Sequence, residues 1–290
     1  RGPGALLEVR VRAHRGGLPV RRELLENLQS QGTRYQVGSR GLKDMRWELW
    51  RPWYDDIVRR LELDRRADLQ AAERLNALLP RPNIQGLKKI VQGRDCIVFG
   101  AGPSLDADLV RLERAGFLDR VLIAADGATS AVIKHRNPDI VVTDLDGEVE
   151  PQLDSWNRGA WLVVHGHGDN LERVEQVVPN LGERVIGTIQ TRAFGKLFNF
   201  GGFTDGDRAA FMAHELGASK IYLAGMDLGQ RIGRHSGDKD RERKLIKLKI
   251  CGELLAWLAG ELGGKLVNLT GRGEPIPNVP KEELQSYERA

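Results

Sequence analysis

The chain of 290 residues has only two cysteines, Cys96 and Cys251. Two thiols cannot build a disulfide framework or a four-thiolate zinc site, and they read as the reduced thiols of a cytosolic protein. No run of 18 consecutive apolar residues occurs, so no membrane-spanning helix is expected. The first residues carry no apolar run of the secretory type either, and no such signal is expected. A general surplus of one charge is missing as well. The formal net charge is +4, yet residues 1–44 hold nine Lys/Arg against four Asp/Glu. That surplus exceeds the whole net charge, so the rest of the chain is slightly acidic. Such a body offers nucleic acid no basic surface; neither a nucleic-acid nor a membrane partner is expected. What is present is globular: 41% hydrophobic residues and 34 glycines, enough for one large domain or two modest ones.

Three segments follow from the patterning. Residues 1–44 show scattered Gly, Arg and Gln, and the first methionine is Met45; they read as a basic extension outside the functional unit. Residues 45–92 carry apolar residues at helical spacing, Trp47, Trp50, Tyr54, Ile57, Val58 and Leu61, then Leu69, Ala72, Leu75, Leu78 and Leu79. Asp64 suits an N-cap, and Pro80 and Pro82 a stop, so the spacing predicts a helical hairpin. From residue 93 to 290, short apolar runs alternate with helical stretches: 96–99, 121–125, 140–142, 161–164, 184–189, 221–224 and 266–269. Runs without strict alternation suit strands buried on both faces. The expected class is α/β, a doubly wound, mostly parallel, Rossmann-like sheet with an N-terminal helical appendage. In such sheets ligands sit at the carboxyl ends of the strands.

Those ends carry the polar residues. The first strand runs into Gly100-Ala101-Gly102-Pro103-Ser104, where glycines and a helix N-terminus could meet a phosphate, or simply make a tight turn capped by Ser104. A dinucleotide fingerprint fits poorly, because Leu105 stands where its third glycine belongs. The third strand ends in Asp144-Leu145-Asp146-Gly147. Residues i and i+2 of an extended chain project the same way, so the two carboxylates can share a cation such as Mg²⁺, which takes hard oxygen ligands. Asp126 leaves the neighbouring strand at the same edge, and Asp169 the next one. Four carboxylates converging on one edge repel unless a cation neutralises them.

His165-Gly-His167-Gly-Asp169-Asn170 is one residue short of a His-x-His-x-Asp-His zinc motif. Only His214 and His235 follow it, and a zinc site is not expected. Asn199-Phe200-Gly201-Gly202-Phe203-Thr204-Asp205-Gly206-Asp207-Arg208 combines a capping-box spacing, Thr204 with Asp207, and a glycine pair between two phenylalanines. The second feature suits a loop closing over a planar heterocycle or nucleotide. Further on come Lys239, Lys244 and Lys247; the last two, three apart, could reach a polyphosphate or line a solvated helix face.

Taken in order, Gly100–Leu105, Ala125-Asp-Gly-Ala128, Pro138–Gly147, His165–Asn170, Asn199–Arg208 and Gly225-Met-Asp227 resemble the archaeal MptE-type 6-hydroxymethyl-7,8-dihydropterin diphosphokinases, from about Met45 almost to the C-terminus. The Asp-Gly-Ala and Asp-Leu-Asp-Gly pieces are also similar to thiamine diphosphokinase motifs. The resemblance implies transfer of diphosphate from ATP to 6-hydroxymethyl-7,8-dihydropterin, with AMP as the other product, in tetrahydromethanopterin or folate synthesis. It implies Mg²⁺ on Asp126, Asp144, Asp146 and Asp169. It further implies substrate or ATP contacts from Gly100, Gly102, Ser104, His167, Asn170, Asn199, Gly201, Gly202, Phe203, Thr204, Asp205, Asp207, Asp227, Lys244 and Lys247. A cytoplasmic enzyme is expected, and a homo-oligomer is compatible with the sequence. The rival readings are a thiamine diphosphokinase, a nucleotide-sugar glycosyltransferase using Asp-x-Asp, and a dinucleotide-binding module using the Gly100 turn.

Overall fold

A computed structural model describes residues 47–229 and 241–284. The extension 1–44, Met45, His235 and Lys239 lie outside the described residues. After three helices, α1 (Trp47–Leu61), α2 (Arg65–Leu78) and α3 (Ile84–Val91), come β1 (Asp95–Phe99), α4 (Leu105–Arg114), β2 (Val121–Ala125) and α5 (Thr129–Val132). Next are β3 (Ile140–Thr143), α6 (Val149–Asn157), β4 (Trp161–His165), α7 (Leu171–Val177), β5 (Val185–Thr188) and the two-residue β6 (Leu197–Phe198). The order ends with α8 (Asp205–Glu215), β7 (Lys220–Ala224), α9 (Arg241–Gly260) and β8 (Leu266–Asn268).

The strands form one eight-stranded sheet in the order β6-β5-β4-β3-β2-β1-β7-β8. Every strand pair in it is parallel, so the sheet is wholly parallel where a mostly parallel one was expected. The chain winds outward from β1 to β6, then returns to place β7 on the other side of β1, and the order therefore reverses between β1 and β7.

The strands are buried on both faces, as their apolar runs require. Cys96 and Val98, Val121 and Ile123, Ile140 and Val142, and Trp161 and Val163 point into one continuous core. The alternate residues feed two smaller cores on the opposite face, Ile97, Phe99, Leu122 and Ala124 into one, Val141, Leu162 and Val164 into the other.

Residues 47–91 straddle this sheet. Trp50, Tyr54, Ile57 and Leu61 of α1, with Leu87 and Val91 of α3, belong to the continuous core beside α8 and α9. Ala72 and Leu75 of α2, with Leu79, pack on the other face. The two helices of the expected hairpin bury their apolar stripes against opposite sides of the sheet. The elbow at Glu62–Asp64 therefore passes over the sheet at the end of β4, and it becomes a wall of the site. Beyond the stop at Pro80 and Pro82 comes a third helix that the spacing does not predict, α3, capped by Asn83 Oδ1 accepting from Gly86 N at 2.9 Å.

Candidate active site

At the end of β2 the backbone enters Asp126 with φ of 36°, and just past β3 Leu145 has φ of 63°. Two non-glycine residues in the left-handed region at adjacent strand ends are held there by their surroundings. Asp126 Oδ1 accepts from Thr143 Oγ1 and from Gln152 Nε2, each at 2.8 Å. Leu145 N donates to Thr143 Oγ1 at 2.8 Å, and Asp146 N donates to Asp144 Oδ1 at 3.1 Å. The chain after β3 is thus a tight turn and not an extended segment. That turn separates the two acids expected side by side: Asp144 is largely buried, while Asp146 is exposed.

The third acid at this edge comes from elsewhere. Asp205, the first residue of α8, brings a carboxylate oxygen that lies, with one each from Asp126 and Asp144, in a group whose members are all within 4.8 Å of one another. Among the described residues this is the group of acids able to share a metal ion. Asp146 and Asp169, expected as metal ligands, fall outside it, and Asp169 is exposed on the neighbouring cleft.

Electrostatics agree with a site whose negative charge is only partly compensated. Burial, then the charges of Asp144 and Asp146, raise the Asp126 carboxyl to about 6. Burial followed by Asp144 pushes Asp205 well above the usual carboxylate range, although Arg208 Nη1 pairs with it at 2.8 Å. Burial is the strongest single influence on Asp144 and acts upward, but the hydrogen bond at 3.2 Å and the charge of His167, together with hydrogen bonds from Asp146, outweigh it and hold Asp144 below its ordinary value. Three hard carboxylate donors, two of them reluctant to ionise together, suit a divalent cation.

A raised carboxyl contributes stability that is complete below its unfolded value and is lost as pH rises through its folded value. Metal-free protein should therefore gain a few degrees of Tm between about pH 7.5 and pH 5 from Asp126 and Asp205. Saturating Mg²⁺ should abolish that gain, and Asp126→Asn should flatten it and weaken the Mg²⁺ shift. A thermal-melt series at five pH values, with and without metal, checks this; identical profiles for both proteins would refute the shared charge site.

Beside the triad lies a cleft of about 290 Å³ that takes in Asp144, His167, Asp169, Phe203 and Lys247, together with His165, Gln190, Arg208, Arg243 and the elbow residues Glu62 to Asp64. Asp68 of α2 ties that elbow to the strand ends. Its Oδ1 accepts from Gly168 N at 2.9 Å, and its Oδ2 from Gln190 Nε2 at 2.7 Å and Tyr54 Oη at 3.0 Å. His165 is buried, and burial followed by the Arg208 charge depresses its pKa well below the usual imidazole value.

Several sequence-chosen residues are committed to holding loops. Asn170 Nδ2 donates to Asp144 O at 2.7 Å and His165 O at 2.6 Å, linking the turns after β3 and β4. Asn199 Oδ1 accepts from Gly201 N, and its Nδ2 donates to Thr191 O, both at 2.8 Å. Asp207 is fully buried and accepts from Phe203 N at 2.7 Å and Thr204 N at 2.8 Å, the capping box with Thr204. Gly202 has φ of 82°, and a Cβ there would lie 2.4 Å from Arg208 Cα, so the glycine lets the loop turn onto α8.

At the β1/β7 reversal the loops close on each other. Gly100 N donates to Ala224 O at 2.9 Å and Gly102 N to Gly225 O at 2.8 Å. Ser104 N and Oγ reach Asp227 Oδ2 at 2.9 and 2.7 Å. A Cβ on Gly102 would meet that same oxygen at 2.3 Å, so here glycine serves close loop packing, and these N–H groups are spent within the protein. Lys244 lies on α9 and is half-buried. Sequence reasoning missed Arg208, Thr143 and Gln152, although Arg208 and Thr143 sit inside the motifs; Asp68 and Gln190 carry no local signal.

A parallel sheet that gathers three carboxylates at its carboxyl edge beside a small cleft defines an α/β enzyme with a site able to hold a hard cation. The family model described as 6-hydroxymethylpterin diphosphokinase MptE-like matches residues 70–233, and the chain belongs to that family of diphosphokinases. A Pyrococcus furiosus protein named 6-hydroxymethyl-7,8-dihydropterin pyrophosphokinase is 40% identical over 78% of the chain and all of its own length. Proteins of the same name from Methanothermobacter thermautotrophicus and Methanocaldococcus jannaschii are 44% and 35% identical, over 74% and 73% of the chain and 95% of theirs.

Proposed function

We propose that the chain transfers diphosphate from ATP to the hydroxymethyl oxygen of 6-hydroxymethyl-7,8-dihydropterin, with Mg²⁺ at Asp126, Asp144 and Asp205. The observation that carries the reading is the convergence of those three acids beside the cleft, in a chain whose relatives bear that substrate in their names. The substrate oxygen attacks the β-phosphorus, the bond from that phosphorus to the α–β bridging oxygen breaks, and AMP leaves with the bridging oxygen. The hydroxyl proton is released to solvent or a nearby base.

Bound Mg²⁺ supplies neutralisation of phosphate charge as the bond breaks. The protein's own part is positioning. Thr143 and Gln152 fix the Asp126 carboxylate, His167 and the Asp146 N–H fix Asp144, and Arg208 fixes Asp205. Asp146 adds its charge at Asp126, and Asp169 lines the same cleft as Asp144. Lys247, on the cleft wall, is the cation suited to the transferred group, with Lys244 and Lys239 along the same stretch. Positioning and electrostatics suffice for phosphoryl transfer. The product feeds pterin cofactor synthesis, a cytoplasmic process by this reading; no helix among the described residues is long and apolar enough to cross a membrane.

The test is a product assay with purified protein, ATP, Mg²⁺ and the dihydropterin, resolving nucleotides and pterins by chromatography. AMP formed in step with a pterin diphosphate, and lost with chelator, is the expected result. AMP formed with thiamine and not with the pterin would move the substrate, and no AMP with either would overturn the reading.

A further inference from the structure

Helix α9 turns one face to the site. Arg243, Lys247 and Cys251 stand four residues apart and share that face. Cys251 is buried beside Thr204 and Asp207 at the start of α8, so the face points at the helix end that carries Asp205. One and two turns further out, Lys247 and Arg243 both line the cleft. Lys244, which the sequence offers as the partner of Lys247, is not among the residues that line it. Arg243 Nη1 donates to Leu61 O at 3.1 Å, a carbonyl at the C-terminal end of α1, where the helix dipole favours a cation. Lys247 is half-buried, and among the described residues no hydrogen bond or ion pair ends on it. The acids of the cleft are engaged elsewhere: Asp64 Oδ1 caps α2 through Arg66 N at 2.8 Å, Asp68 takes three donors, and Asp144 accepts from His167. Glu62 and Asp169 are exposed to water. A half-buried ammonium without a counter-charge is costly, and on a cleft wall it suits an anionic ligand.

The surroundings narrow the anion's class. The cleft includes Asp144, one of the three acids able to share a metal ion, so an anion drawn to this wall is one that also suits a divalent cation. Phosphate oxygens do. Two cations one helical turn apart are separated by about 6 Å along the axis, a spacing that two linked phosphates can bridge. Arg243 brings a planar fork that can take two phosphate oxygens at once, and Lys247 a compact point charge. The half-buried Phe203 ring lines the same cleft, a face for a planar acceptor to pack on beside the phosphates.

We infer that Arg243 and Lys247 together grip the diphosphate as it passes from ATP to the acceptor and hold it in the product, with Arg243 as the second cation in the place that the sequence gives to Lys244. The inference rests on the pterin reading above and adds no bond change to the transfer described there. Both side chains touch the transferred group, and their charge offsets what develops on its oxygens as AMP leaves.

The experiment compares wild type with Arg243→Gln, Arg243→Lys and Lys247→Gln, and with Lys249→Gln, which alters an exposed lysine of α9 outside the cleft. Binding of inorganic diphosphate and of inorganic phosphate, each with Mg²⁺, is measured by calorimetry, pterin binding by fluorescence, and kcat by the product assay. Arg243→Gln and Lys247→Gln should each weaken diphosphate binding about tenfold or more and lower kcat at least as far, with the pterin Kd within about twofold of wild type. Arg243→Lys should keep part of the affinity and lose preference for diphosphate over phosphate, since lysine has no fork. Lys249→Gln should change none of these values; an equal loss there would reduce the effect to general surface charge and overturn the inference. Diphosphate binding and kcat unchanged in Arg243→Gln would overturn it too. So would a loss striking pterin and diphosphate alike, the mark of a residue that only ties α9 to α1. Diphosphate binding that depends on both cations, in a wild type that does not convert the pterin, would uphold the grip and overturn the acceptor reading alone. If Arg243→Gln does not fold, Arg243→Lys decides: a reduced preference for diphosphate over phosphate supports the inference, and an unchanged one refutes it.

Discussion

Replacing Asp144 by asparagine should lower kcat by about 10²–10³-fold or more, with Tm changed by only a few degrees. Asp144 is the acid shared by the triad and the cleft, and the one that its surroundings keep charged, through His167 against the opposing effect of burial. An amide at this position keeps the size and an oxygen for the Asp146 N–H, but it removes the negative charge that a cation at the site needs. Stability should survive because the change also relieves repulsion on Asp126 and Asp205, both of which feel the Asp144 charge. Steady-state rates across a Mg²⁺ series, beside a thermal melt, check both halves. Turnover within tenfold of wild type at ordinary Mg²⁺ would remove Asp144 from the site.

The largest stability loss is expected from Asp68→Ala. Asp68 is 5% exposed, and three donors end on its carboxylate: Gly168 N, Gln190 Nε2 and Tyr54 Oη. Trp50 Nε1 adds a bond to Gln190 O at 2.7 Å, so the cluster joins α1, α2 and the loops after β4 and β5. Truncation strands several buried donors at once, at about 1–3 kcal/mol each before relaxation. A total loss of roughly 3–5 kcal/mol is expected, on the order of 10 °C in Tm. Asp68→Asn, which keeps one acceptor oxygen, should recover part of it. Urea unfolding of the three proteins measures the series; a loss below about 1 kcal/mol for the alanine variant would show that water replaces the carboxylate.

The sheet was legible because burial on both faces writes the same signature into every strand. Val121–Ala125 and Trp161–His165 are buried at every position, and an uninterrupted apolar run between turn signals marks them. β6 escaped notice because two residues, Leu197 and Phe198, make no pattern. α3 escaped because the two prolines before it read as a stop, while Asn83 supplies a local cap just after them.

The site was legible in part. Asp126 and Asp144 could be chosen from the rule that strand ends carry chemistry. Their third partner could not, since the i, i+2 argument for Asp146 assumes an extended chain and the backbone turns left-handed at Leu145. Asp205 enters only because α8 crosses the face of the sheet at β1, β2 and β3. The glycines at 100 and 102 looked like a phosphate cradle, and their N–H groups prove to be taken by β7 and the loop after it. A motif shows which residues are special; it does not show whether they face a ligand or one another.

The sequence by itself determined the α/β class, the positions of seven strands and the family, because burial periodicity and linear motifs are local properties that survive in one dimension. Only the tertiary structure decided which acids meet, that α1 and α2 straddle the sheet, and that their elbow closes a cleft over His165. Those facts depend on pairings between distant parts of the chain, 100 residues for Asp68 with Gly168 and 140 for Trp50 with Gln190, and a few ångströms of strand-end geometry choose among them.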